Sequence, residues 1–387
     1  MTLSPTIFRE YDIRGVVGRD LHPEAAEAIA RAFGTYLASA GVRRAVIGHD
    51  NRASSPALYE AAVRGLASTG CDVITIGLAV TPMLYFAQRH FGVDGGVMVT
   101  ASHNPPEFNG FKLAHGPGTL YGAQIQEIRR LAEGPAVRAG AGAVEGREIL
   151  PAYAAMLRDR IRLGTRRLRV VADCGNGTAS GMVPDILRAW EVDVIPLYCD
   201  SDPTFPHHHP DPVDPQNLRD LIREVAASRA DVGLGFDGDG DRIGAVFAGE
   251  MSGHMFFADE YYGYDDAIYA AGRLLRILSR TERPLSALAG EIPRYHNTPE
   301  IRVACPDDRK HEVVARLVRE FKARYEVIDI DGVRVVFPDG WGLVRASNTQ
   351  PVLVVRAEGT TPEALDRIKA VLEAALRRYP EVAPVPW

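Results

Sequence analysis

The sequence predicts a multi-domain α/β protein with two layered α/β domains, a remnant of a third, and a C-terminal α+β domain. Three observations carry that expectation. The chain has 387 residues, more than one ordinary hydrophobic core organises. Short apolar runs alternate with amphipathic stretches, and several runs end in Gly/Asp/Asn turns. Toward the end the order changes to a helix, paired strands and a final helix. Boundaries are expected at 1–148, 149–247, 248–297 and 298–387.

Residues 23–40 place alanines, Ile29, Phe33 and Leu37 at helical spacing, and Gly41 stops the run. Residues 44–48 are a short apolar run ending in the polar turn His49-Asp50-Asn51-Arg52, a strand feeding a loop. A helix over 55–68 and a strand over 72–77 repeat the unit. The next strand, 95–100, runs straight into Ala101-Ser102-His103-Asn104-Pro105. Residues 134–146 are Gly/Ala-rich and read as a linker. The pattern restarts with a strand at 167–172, a turn over 173–177, a helix at 181–190 and a strand at 192–197. A Pro/His-rich loop, 202–215, leads to a helix at 215–228 and a strand at 231–236. Residues 248–279 offer one candidate strand, 255–257, and an amphipathic helix at 265–278. The C-terminal part reads as a helix at 310–324, strands around 325–337, 342–345 and 352–357, and a helix at 362–378.

Hydrophobic content of 46 % and charged content of 24 % are those of a globular chain. A formal net charge of −6 gives no global field to recruit nucleic acid or an anionic membrane, so an anionic ligand needs local cations. No stretch has the length and apolarity of a signal peptide or membrane span, and a cytoplasmic protein is expected. Cys71, Cys174, Cys199 and Cys305 are scattered without a CxxC pair, which argues against a disulfide framework or zinc site. Lysine is rare: Lys112, Lys310, Lys322 and Lys369 are the only four among 44 basic residues. A lysine kept inside a motif hints that arginine would not serve there.

Four segments carry candidate chemistry. In Asp237-Gly238-Asp239-Gly240-Asp241-Arg242, carboxylates at alternate positions can converge on one cation because glycine lets the backbone turn tightly. An EF-hand would need glycine and glutamate where Arg242 and Ala248 stand, so magnesium suits the set better than calcium. A solvated acidic turn is the plain alternative. Ser102, at a strand-to-loop turn, is either a nucleophile or a capping residue. Beside a magnesium loop, a phosphorylated Ser102 becomes a fourth ligand. Lys112 adds an ammonium whose pKa surroundings can lower, hence a candidate general acid or base. Arg345-Ala346-Ser347-Asn348-Thr349-Gln350-Pro351 offers donors suited to a phosphate dianion, or is simply a polar turn. Gly249-Glu250-Met251-Ser252-Gly253-His254 sets a carboxylate and a hydroxyl among glycines, a pattern able to read vicinal hydroxyls.

In this order the four segments resemble the α-D-phosphohexomutase superfamily, closest to its bacterial phosphomannomutase/phosphoglucomutase branch. Phe8-Arg9-Glu10-Tyr11-Asp12-Ile13-Arg14-Gly15 is similar to that family's opening motif. Met251 within its loop resembles the glucose/mannose branch more than the glucosamine branch. The resemblance implies four domains around a cleft and a catalytic phosphoserine at Ser102. Magnesium would be held by Ser102, Asp237, Asp239 and Asp241. Arg14, Lys112 and Arg242 would surround the moving phosphoryl group, with His103 beside the serine. Tyr11, Glu250, Ser252 and His254 would face the sugar, and Arg345, Ser347, Asn348 and Thr349 would hold the non-reacting phosphate. The implied reaction interconverts hexose 1-phosphate and hexose 6-phosphate through glucose 1,6-bisphosphate or its mannose counterpart. Hexose phosphates are the expected partners, with no nucleic acid or membrane, in a monomer or dimer.

The chain departs from that pattern in one place. Six residues separate Arg242 from Gly249, where the family carries most of its third domain, so only a remnant of that domain is expected. Lys112, His103 and His254 are then the nearest proton-transfer candidates. A sugar-phosphate-binding relative without turnover, and a serine-linked phosphatase, are the competing functions. His207-His208-His209, flanked by prolines, resembles a family surface segment rather than a metal site.

Overall fold

The computed structural model describes residues 3–245, 254–347 and 351–387, which fall into two units, Met1–Ala289 and Gly290–Trp387. The first unit begins with β1 (Ile13–Val16), α1 (Pro23–Ser39), β2 (Arg44–His49), α2 (Ser55–Ala67), β3 (Asp72–Leu78) and α3 (Thr81–Phe91). It continues with β4 (Gly95–Val99), β5 (Phe108–His115), β6 (Gly118–Thr119), α4 (Ala123–Glu133) and β7 (Val144–Gly146). These strands form one sheet in the order β1-β5-β4-β2-β3-β7, with β6 on β5. β4, β2, β3 and β7 run parallel, while β5 is antiparallel to both β4 and β1. β4 is buried at every position, which explains its continuous apolar run. The segment expected to be a linker contains β7: it pairs with β3 although all three of its residues are exposed. An edge strand whose residues all face solvent leaves no apolar alternation to read.

The second layered set comprises α5 (Leu150–Arg160), β8 (Arg169–Asp173), α6 (Val183–Ala189), β9 (Asp193–Leu197), α7 (Arg219–Ser228), β10 (Val232–Phe236) and β11 (Ile243–Ala245). Its sheet has the order β11-β10-β8-β9, parallel except for β11. Then come α8 (Ala267–Leu278) and α9 (Leu285–Ala289). The expected strand at 255–257 does not form. Only isolated bridges, Arg242↔His254 and Phe256↔Asp265, occur there among the described residues. One hydrophobic core runs from α3 and the first sheet through α5 to the second sheet and α8. A second core lies under α1, α2 and α4.

The other unit carries β12 (His296–Asn297), β13 (Ile301–Ala304), α10 (Lys310–Lys322), β14 (Glu326–Ile328), β15 (Val333–Phe337), β16 (Gly340–Ala346), β17 (Val352–Gly359) and α11 (Pro362–Leu376). Its antiparallel sheet, β12-β17-β16-β15-β14 with β13 on β17, packs against both helices around a separate core. Thr361 caps α11 by accepting from the Ala364 N–H, and Pro362 occupies the first turn, where no N–H is required. Among the described residues no helix is long and apolar enough to cross a membrane.

Candidate active site

The loops after β4 and β10 meet at the C-terminal ends of their strands, where open α/β sheets place ligands. Ser102 leaves β4 in the left-handed region, φ +52°, a conformation uncommon for a residue with a side chain. Its N–H bonds the Thr100 hydroxyl at 2.9 Å. Its own Oγ donates to Asp237 Oδ2 at 3.0 Å and lies 3.2 Å from His103 Nδ1. The two glycines of the acidic motif are needed for this approach. A Cβ on Gly238 would lie 2.5 Å from the Ser102 carbonyl, and Gly240 has φ +72° against Val80.

Asp237, Asp239 and Asp241 are all buried, and one carboxylate oxygen from each lies within 4.8 Å of the others. Asp239 Oδ2 accepts from Lys112 Nζ at 2.8 Å, Thr81 Oγ1 at 2.7 Å and Thr100 Oγ1 at 3.2 Å. Lys112 also pairs with Asp241 Oδ2. Asp237 Oδ1 takes the N–H groups of Asp241 and Arg242. The remaining oxygens, Asp239 Oδ1 and Asp241 Oδ1, are buried without a hydrogen-bond partner. Such groups are costly unless something satisfies them, and two orphan carboxylate oxygens in one cluster fit a hard divalent cation.

The electrostatics agree. Burial, and repulsion from Asp241 and Asp239, push Asp237 well above the usual carboxylate range. Burial and Asp239 raise Asp241 as well. Burial opposes charge on Asp239 too, but Lys112 and the Thr81 hydrogen bond hold it low. Burial would lower Lys112, yet Asp239 and Asp241 outweigh it and keep the ammonium well above its ordinary value. The expectation of a lysine with lowered pKa is therefore corrected, because two carboxylates far away in sequence meet it. His103 is pushed down to about 2 by burial and by Arg242 and Arg14, so its ring is neutral.

Arg14 donates to Asn104 Oδ1 at 2.6 Å and pairs with Asp12, also at 2.6 Å. Arg242 Nε is 3.9 Å from both Asp237 and Asp241. The Nε groups of both arginines are buried without a hydrogen-bond partner. Tyr11 is largely exposed. His254 Nδ1 is 2.7 Å from Asp265 Oδ2 and 4.0 Å from Asp241 Oδ1. Glu250 and Ser252 lie outside the described residues, as do Asn348 and Thr349. In the other unit, Arg345 on β16 is 3.6 Å from Asp331, and the Ser347 carbonyl accepts from the buried Lys310 at 2.5 Å.

Sequence reasoning missed a buried arginine. Arg52 reaches under the serine loop and donates to the carbonyls of Ser102 (2.7 Å), Asn104 (2.6 Å), Pro105 (2.7 Å) and Phe108 (3.2 Å), and to Asp50 Oδ2 (3.2 Å). The only local signal was its place in the polar turn after β2. The histidine run is likewise not a plain surface segment: His208 Nε2 lies 3.1 Å from both Asp173 oxygens, and His209 touches the His103 carbonyl.

Family models agree with this architecture. Those described as phosphoglucomutase/phosphomannomutase alpha/beta/alpha domains I, II and III match residues 5–136, 151–250 and 225–295, and the C-terminal domain matches 300–375. The third match shows that domain III is represented, and the match takes in β10 and β11, which belong to the second sheet. A phosphomannomutase/phosphoglucomutase of Pseudomonas aeruginosa is 39 % identical, covering 100 % of this chain and 98 % of the relative. That alignment runs over 457 positions against 387 residues here, so the relative has internal residues this chain lacks. A Neisseria gonorrhoeae phosphoglucomutase is 35 % identical, covering 98 % of this chain and 99 % of the relative. A crystal structure of a phosphoglucomutase/phosphomannomutase family protein from Burkholderia thailandensis superposes with a TM-score of 0.90 at 34 % identity, covering 100 % of both chains. The chain belongs to the phosphoglucomutase/phosphomannomutase family, a family of isomerases.

Proposed function

We propose that the chain interconverts hexose 1-phosphate and hexose 6-phosphate, of glucose or mannose, by phosphoryl transfer through Ser102. The observation that carries this reading is the Ser102 hydroxyl, 3.0 Å from Asp237 inside a buried three-carboxylate cluster with two orphan oxygens. Phosphorylated Ser102 gives its phosphoryl group to the free hydroxyl of the sugar monophosphate. The Oγ–P bond breaks, a new O–P bond forms, and the proton lost by the sugar hydroxyl is balanced by the one that Ser102 Oγ takes up. The bisphosphate then turns over and returns its other phosphoryl group to Ser102 by the reverse exchange.

Asp237, Asp239, Asp241 and Ser102 Oγ would hold Mg2+, which when bound neutralises charge on the phosphoryl oxygens. Lys112, Arg14 and Arg242 contribute fixed positive charge around the same point, and the unpaired Nε groups of both arginines are donors for phosphoryl oxygens. Lys112 is protonated and bound to two carboxylates, so it acts as a cation rather than a base. His103, a weak base beside Ser102, orients the hydroxyl. His254, with Nδ1 2.7 Å from the Asp265 carboxylate and 4.0 Å from Asp241, is the proton-transfer candidate on the other side of the cluster. Arg345, Ser347, Asn348 and Thr349 would hold the non-reacting phosphate, and Tyr11, Glu250 and Ser252 the sugar.

The test is to supply Mg2+, glucose 1-phosphate and a trace of glucose 1,6-bisphosphate, then follow glucose 6-phosphate and free phosphate. Glucose 6-phosphate without free phosphate supports the mutase. Free phosphate identifies a phosphatase, and neither product identifies a binding protein.

A further inference from the structure

Spacing in the sequence gives no reason to pair Cys174 with Cys199, yet the second sheet brings their sulfurs to 3.1 Å. β8 and β9 run parallel with Asp173 opposite Leu197, so the cysteines follow their strands by one and two residues. Both are free thiols, Cys174 buried and Cys199 partly exposed. Neighbouring strands lie ~4.8 Å apart, inside the roughly 4.4–6.8 Å between Cα atoms that a disulfide spans. Closing the sulfurs to about 2.05 Å takes a movement of ~1 Å.

The turn carrying Cys174 abuts the acidic loop. Its carbonyl accepts from the Gly177 N–H at 2.8 Å, and the Thr178 N–H donates to the Gly238 carbonyl at 3.0 Å. A Cβ on Gly177 would lie 3.1 Å from Gly238 Cα, so the two backbones touch. Gly238 stands between Asp237 and Asp239. On the other side, Asp173 meets His208, whose neighbour His209 contacts the carbonyl of His103. A displacement of Cys174 thus reaches both loops through direct contacts.

We propose that Cys174 and Cys199 form a reversible disulfide that displaces the Gly238 backbone and suppresses phosphoryl transfer. The oxidant is a hydroperoxide. Cys199 gives up its proton, its thiolate attacks a peroxide oxygen, the O–O bond breaks, and the leaving hydroxide takes up that proton, so a sulfenic acid and water result. The Cys174 sulfur then displaces the hydroxyl as water and forms the S–S bond. Two thiols and one hydrogen peroxide give one disulfide and two waters, and a dithiol reductant reverses the step. Transient pairs of this kind are the form that disulfides take in reducing compartments. The effect on turnover rests on the mutase reading, whereas the disulfide itself does not.

The full chain is treated with hydrogen peroxide, alkylated, digested and mapped by mass, with turnover and Mg2+ binding measured before and after. A linked Cys174–Cys199 peptide is expected, with a turnover loss of about 100-fold and recovery in dithiothreitol. Cys199→Ser should neither link nor lose activity, while the Cys71→Ser/Cys305→Ser double variant should behave as the parent. Absence of the linked peptide overturns the proposal, as does Cys199→Ser losing activity equally. A linked peptide with unchanged turnover and unchanged Mg2+ affinity overturns the regulatory half. If the reduced chain shows no turnover, the mutase reading fails, while the peptide map and Mg2+ affinity still decide this one.

Discussion

Replacing Arg52 should disable the serine loop without touching any residue that meets substrate. Its side chain is 1 % exposed and binds four backbone carbonyls between Ser102 and Phe108 as well as Asp50. Arg52→Met fills much of the volume but leaves Asp50 as an uncompensated buried carboxyl, a loss of about 3–5 kcal/mol. Each carbonyl left dry adds about 1–3 kcal/mol, so the loop should open to water before the whole sum is felt. Native stability of roughly 5–15 kcal/mol leaves a folded but weakened protein. Arg52→Lys keeps a charge beside Asp50, yet three rotating donors cannot span four carbonyls. Its melting should fall less, while turnover falls about 100-fold from a misplaced Ser102. Urea unfolding, turnover and labelling of Ser102 by radiolabelled glucose 1,6-bisphosphate are the assays. An Arg52→Lys protein that keeps the parent's turnover would refute the argument that this arginine sets the serine.

Other outcomes follow from the same contacts. Ser102→Ala should abolish both turnover and protein labelling while leaving Mg2+ binding measurable by calorimetry. Lys112→Met should cut turnover by about 10²–10³-fold without loss of Mg2+ affinity, since the metal then meets two carboxylates freed from the ammonium. Mg2+ at about 100 times its Kd should stabilise the folded chain by about 2.7 kcal/mol, an effect that chelation removes and that Asp239→Asn weakens. Burial pushes Asp266 up to about 6 against hydrogen bonds from Tyr261, the Tyr269 N–H and Tyr153. The folded state therefore binds the extra proton, and stability present below the unfolded value falls by about 3 kcal/mol as pH rises from roughly 4 to 6. Asp266→Asn should flatten that part of a urea-stability profile, and an unchanged slope would count against it.

The segments legible in the sequence were those whose neighbours are close in the chain. β4 and β10 read as strands because burial on both faces makes them continuously apolar, and their turns named Ser102 and the three aspartates. What could not be read was assembled across long separations. Thr81 is 158 positions from Asp239, and Lys112 is 129 from Asp241. No local pattern reports that these will meet, so the sign of the Lys112 shift was inaccessible. Arg52 was hidden for the same reason, since its partners are backbone carbonyls that carry no sequence identity. β7 escaped because an edge strand with exposed side chains has no periodicity.

The third domain raises the same question at larger scale, because so few residues cannot cover two faces of a sheet of their own. Among the described residues of that segment there is no sheet. α8 buries Ile268, Tyr269, Leu275 and Leu278 in the core that the second sheet already forms. At Gly272 the helix comes so close to Ile161 and Trp190 that a Cβ would lie 2.8–2.9 Å from their side chains. Its cap, Asp266, accepts from the Tyr269 N–H and from the hydroxyls of Tyr153 and Tyr261, which ties the helix start to α5. The Ala267 N–H in turn donates to the Gly240 carbonyl inside the acidic loop. Packing onto a borrowed core thus does two things at once: it stabilises a segment too short to fold around itself, and it holds Asp265 and His254 against Asp241. His254 and Asp265 keep their place beside Asp241 because α8 is anchored to the loop that carries the aspartates.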